Sequence, residues 1–166
     1  HTSFRHLLVN LFVFLNLSPA LSSIKVPSSS WVSRTRRAHA GLSSAALWPL
    51  VVGGALSGNA LFLLFRPRGS CLGLSGVTCA MLAVYASVMP NRVLRILLLG
   101  ILPVSVKAAT MVQVLLAVSL AGSVFLPSSP VSHLAHLGGL LFGLLYYQNI
   151  MTNSNRKLPT KVLFGR

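Results

Sequence analysis

The sequence predicts an all-α fold, a polytopic membrane helix bundle, on three observations. Hydrophobic residues fill 54% of its 166 positions, and the mean hydropathy is +0.76. Only 8% of residues are charged, against roughly 25% in water-soluble domains. The apolar residues gather in runs long enough to cross a bilayer. Such a chain suits one bundle of about five spans with short loops and leaves no room for a sizeable soluble domain.

The first apolar stretch covers 6–22, the second 42–65 and the third 71–89. A fourth region, 93–126, is divided by Pro103 and Lys107. The part after Lys107 is long enough to cross, whereas 93–106 reads as a shallow or tilted apolar piece. The fifth stretch covers 131–150, and a polar, basic tail occupies 151–166. Between them, 28–39 (SSSWVSRTRRAH) is Ser-rich and basic and reads as a solvated loop after Pro27. A tight turn at 66–69 holds Pro67, and the Pro/Ser segment 127–130 cannot be helical throughout. There is no internal repeat and no evident cleavable signal peptide. The sequence opens at His1 without an initiator Met, and an earlier span is expected ahead of it.

Charge is one-sided: fourteen Lys and Arg, with no Asp or Glu. Basic residues placed between apolar runs face a membrane surface, so nucleic acid is not the expected partner. Lys25, Arg34, Arg36, Arg37, Arg92, Arg95, Lys107, Arg156, Lys157, Lys161 and Arg166 fall on one side of the bundle. Only Arg5, Arg66 and Arg68 fall on the other, so the first, third and fifth spans run inward. The missing carboxylates exclude an aspartyl dyad and the Glu of a zinc-protease H-E-x-x-H. They also exclude the intramembrane Asp or Glu usual in cation transporters. Cys71 and Cys79 lack C-x-x-C spacing and read as small packing residues.

Three polar sets sit at the starts of the inward-running spans. His6 and Asn10, four residues apart, share a helix face. Gly73-Leu74-Ser75-Gly76 opens the third span, and His133-Leu134-Ala135-His136-Leu137-Gly138-Gly139 opens the fifth. At one depth these sets bring together a serine, a base and two side-chain donors, the minimum for acyl transfer. Small residues support that approach: Gly76, Ala80, Ala83 and Ser87 form a stripe on the third span. Gly139 and Gly143 share the face of His136 on the fifth.

In these residues the sequence resembles the rhomboid family of intramembrane serine proteases. The matching elements are H-x-x-x-x-H-x-x-x-N (His1, His6, Asn10), G-x-S-G (Gly73 to Gly76), and A-H-x-G-G with a further glycine (Ala135 to Gly139, Gly143). The resemblance covers about residues 1–150 as a peptidase domain, the family core from its second span to its sixth, without the first. It implies Ser75 as nucleophile and His136 as general base and then acid. His6, Asn10 and the Ser75 backbone N–H would hold the oxyanion, and His1 would shape the rim. It implies no cofactor and no metal. The expected partner is a membrane-protein substrate whose transmembrane segment is helix-destabilised, met within the lipid bilayer. Leu137-Gly138-Gly139 is most similar to the mitochondrial, presenilin-associated branch, which would place the protein in the mitochondrial inner membrane. One departure is Cys79, where many bacterial members carry an aromatic that packs on the histidine.

Other polar and aromatic residues have plainer readings. His133 is expected to face the loop and not to pair with His136 at a metal. Tyr146, Tyr147, Trp31 and Trp48 read as interface anchors. Thr78 and Ser87 read as packing or backbone-bonding residues. Two alternatives to the protease remain: an inactive relative that binds membrane clients, and a multi-span transporter or structural subunit.

Overall fold

The computed structural model describes residues 4–23, 44–69, 73–98, 102–126, 129 and 132–156. His1, Trp31, Cys71 and the tail beyond Arg156 lie outside them. Among the described residues five helices form: α1 (Phe4–Ser22), α2 (Ser44–Phe65), α3 (Ser75–Val88), α4 (Ala108–Phe125) and α5 (His133–Arg156).

The surface is inverted relative to a water-soluble protein. The apolar windows Leu47–Phe65 in α2 and Ala108–Phe125 in α4 are each long enough to span a bilayer, yet only 17% and 22% buried. Leu64, Phe125 and Phe12 are among the large apolar side chains facing outward. Contiguous exposed apolar surface on this scale needs lipid or a partner to cover it. Buried residues gather instead on α3, where every position from Ser75 to Ala86 is buried. Helix α3 is therefore the axis, and α5, α2, α1 and α4 all pack on it.

Small residues explain why α3 can be central. Between apolar helices in lipid, association depends on close packing. A Cβ on Gly139 of α5 would overlap the Gly76 carbonyl of α3, and one on Gly143 would overlap that of Ala80. Helix α2 closes on the same seam, with Gly58 beside Gly76 and the Ala135 carbonyl. These pairs fix direction. Residues 139 and 143 meet 76 and 80 in ascending order, so α5 runs parallel to α3. Asn10 of α1 meets Thr78 of α3, which places the starts of α1, α3 and α5 together, as the charge pattern predicts.

The all-α expectation is corrected over 93–106, the segment read from sequence as a shallow or tilted apolar piece. Val93–Leu98 and Leu102–Lys107 form an antiparallel two-stranded sheet, β1 and β2, pairing Val93 with Lys107 and Leu98 with Leu102. The physical reason is period-two patterning. Leu94, Ile96, Val104 and Val106 are half-buried, while Val93, Arg95, Ser105 and Lys107 are exposed. Pro103, lacking an N–H, is also poor in a helix interior. The hairpin returns the chain to its origin, because the Ala108 N–H bonds the Arg92 carbonyl at 2.8 Å. No extra crossing intervenes, and α4 runs back toward the start of α5, where Gly122 meets His133.

Candidate active site

Ser75 is the first residue of α3 and is buried. The preceding N-cap residue is Leu74, which makes no side-chain cap hydrogen bond. Serine, threonine, aspartate or asparagine is the usual choice there, because a side-chain oxygen occupies a helix-start N–H. The Thr78 N–H is bonded back to the Leu74 carbonyl at 3.0 Å. The N–H groups of Ser75, Gly76 and Val77 precede it and have no acceptor within the helix. A helix start of this kind favours negative charge.

His136 lies one turn before Gly139, the residue seated on Gly76, and the carbonyl of Ala135 beside it faces both Gly58 and Gly76. The glycine seam therefore brings the Ser75 and His136 backbones to adjacent levels. His136 Nε2 is buried and has no hydrogen-bond partner, so the Ser75 hydroxyl does not donate to it. Catalytic hydrogen bonds are often long before substrate arrives and tighten in the complex.

Asn10 joins the third helix to this level. Its Nδ2 donates to the His6 carbonyl at 2.8 Å, and its Oδ1 accepts from Thr78 Oγ1 at 3.0 Å. Because the His6 carbonyl can only accept, it fixes which end of the amide is the NH₂, and that NH₂ retains one N–H. His6 is half-buried and near enough to His136 for their charges to interact. Ser75, His136, His6 and Asn10 thus lie at one end of the bundle, on three parallel helices. Among the described residues, no three His, Cys, Asp or Glu side chains cluster as a metal site would require.

A match to the Rhomboid domain spans residues 1–152. The chain belongs to the rhomboid family. No significant match to a curated protein or to a solved structure was found. Family membership together with the apolar outer surface makes this an integral membrane protein.

Two residues of this rhomboid-family chain take up roles that their local sequence does not announce. Thr78 was expected only to pack or bond backbone. Its hydroxyl bonds the Ser75 carbonyl at 3.0 Å and also reaches Asn10, tying α1 to the start of α3. His133 does not face a loop: its ring packs on Gly122 of α4 and meets the His136 ring edge-on at 6.4 Å. Tyr146 and Tyr147 are half-buried against the core, with Tyr146 stacked on Phe142 at 5.8 Å. Trp48 is 67% exposed. Cys79 is buried in the core, and Ser87 bonds the Ala83 carbonyl.

Thr78→Val keeps the side-chain shape and strands a buried Asn10 Oδ1. It is expected to destabilise the protein by about 1–3 kcal/mol, the cost of an unsatisfied buried polar group. Thr78→Ser should retain most of the stability. Equilibrium unfolding of both variants in detergent checks this.

Proposed function

We propose that this rhomboid-family protein is an intramembrane serine endopeptidase with a Ser75–His136 dyad. The observation that carries the reading is the seam of Gly76 on Gly139, which sets a buried serine and the His136 imidazole on touching helices. Ser75 Oγ attacks the scissile carbonyl carbon while His136 Nε2 takes its proton. The oxyanion is held by Asn10 Nδ2, His6 and the Ser75 N–H. His136 then protonates the departing amine, and water hydrolyses the acyl-enzyme by the reverse sequence. The substrate is a transmembrane segment that unwinds locally, because helical hydrogen bonding shields its carbonyls. Small, helix-destabilising residues near the cut favour that unwinding. Residues 1–150 form the peptidase domain, and the basic segment 151–166 begins within α5.

A second reading is favoured by the lack of a hydrogen bond on His136 Nε2: a relative that holds membrane clients without cutting them. One experiment separates the two. Full-length protein is incubated with a fluorophosphonate probe and with a transmembrane substrate in liposomes. The protease reading expects labelling that Ser75→Ala abolishes, together with cleavage. Client capture with neither would establish the second reading. Leu137-Gly138-Gly139 supports the mitochondrial branch and an inner-membrane location. Import of the full-length protein into mitochondria, followed by protease protection, tests that.

A further inference from the structure

The β1–β2 hairpin lies outside the proposed catalytic machinery and has two unlike faces. One face, Leu94, Ile96, Val104 and Val106, is half-buried, and Leu94 packs against the core. The other is exposed and carries Arg95 and Lys107, with Arg92 just before it. Val93, 56% exposed and paired with Lys107, sits among these cations.

Depth follows from the backbone. A two-stranded sheet has two open edges whose N–H and C=O groups find no partner in hydrocarbon, so the hairpin cannot lie within the apolar core. Yet it is fastened to the first turn of a membrane helix. The Ala108 N–H bonds the Arg92 carbonyl at 2.8 Å, and the Ala109 N–H bonds the Pro90 carbonyl at 3.1 Å. Both conditions are met only at the headgroup layer. Neutralisation adds a second constraint. The sequence contains no Asp or Glu, so no side-chain carboxylate of this chain can pair with Arg92, Arg95 or Lys107.

We infer that the outward face of the hairpin is an anionic-phospholipid contact, with Arg92, Arg95 and Lys107 among headgroup phosphates and Val93 at the acyl boundary. It anchors the end of α3 and the start of α4 to one leaflet, at the end of the bundle opposite Ser75. Basic residues beside a membrane attract anionic lipid in this way, and salt weakens the attraction.

The test uses full-length protein in nanodiscs containing trace photoreactive phosphatidylglycerol or photoreactive phosphatidylcholine, with crosslinks mapped by mass spectrometry. Peptides covering 92–107 should crosslink preferentially to phosphatidylglycerol. That preference should fall about fivefold for each charge removed by Arg92→Gln, Arg95→Gln and Lys107→Gln. Ser105→Lys, which adds a cation opposite Arg95, should raise it and needs no charge removal from the fold. Inorganic phosphate at equal ionic strength should compete no better than chloride. Equal labelling by the two lipids would overturn the inference. So would a preference unmoved by both kinds of variant. Specific competition by inorganic phosphate would overturn it in favour of a soluble anion.

Discussion

On the proposed protease reading, Ser75→Ala is expected to reduce cleavage of a transmembrane substrate by at least about 10⁴-fold, the scale on which removal of a serine nucleophile acts. The loss is chemical and not structural. Thr78 Oγ1 bonds the backbone carbonyl of Ser75, not its hydroxyl, so alanine leaves the tie between α1 and α3 intact. The neighbouring Gly76 contact with Gly139 is also backbone-made. Folding and detergent stability should therefore match the parent protein. His136→Ala produces a loss of the same order, and the double variant is little worse than either single one, since the two groups act as a unit. Ser87→Ala is the control on the same helix. Its hydroxyl is spent on the Ala83 carbonyl at 2.7 Å, three turns from Ser75, and its rate should be unchanged. Single-turnover cleavage in liposomes measures all four. Retention by Ser75→Ala of more than about a hundredth of the rate would remove Ser75 as nucleophile.

What could be read from the sequence, and what could not, follows from the range of the interactions involved. The parallel starts of α1, α3 and α5 were legible because charge bias and apolar length are properties of whole segments. The glycine seam was legible in part, since small residues four apart mark a helix face before its partner is known. Thr78 was not legible: its second partner, Asn10, is 68 residues away, and a threonine in an apolar helix usually bonds its own backbone. His133 depended on where α4 docks, which no local pattern states. The hairpin is a different case. Its period-two alternation is present in the sequence, with Leu94, Ile96, Val104 and Val106 set against Arg95, Ser105 and Lys107. Within a chain this apolar, a run of that length also fits a tilted helix, and only the return bond from Ala108 to Arg92 separates the two. The candidate residues were thus nameable from sequence, while the ties between Asn10, Thr78 and the Ser75 backbone belong to tertiary structure.

Gly139→Ala is expected to do more damage than any other single methyl group added to the bundle. The added Cβ would overlap the Gly76 carbonyl oxygen, with the Gly76 Cα at 2.9 Å. Both are backbone atoms inside a helix buried on every side, so no rotamer change can relieve the contact. The helices must separate, and the adjacent seam then opens, because Gly143 lies 2.9 Å from the Ala83 Cβ by the same measure. Overpacking of a tight core costs about 1–3 kcal/mol and sometimes more, and this site should lie at or beyond the upper end. Gly53→Ala gives the contrast. The atoms its added methyl would meet first belong to the ring of Phe142, a side chain and not backbone, and the loss should be about half as large. Activity separates the variants further. Gly139 sits one turn from His136, so widening α3–α5 by even an ångström lengthens the Ser75-to-His136 approach. A misplacement of that size can cost about a hundredfold in rate. Gly139→Ala protein that remains folded at low temperature should therefore cleave far more slowly than Gly53→Ala protein of equal folded fraction. Unfolding in detergent and single-turnover cleavage measure the two effects independently. Equal stability of the two variants would show that the α3–α5 seam is not where the bundle is most tightly packed.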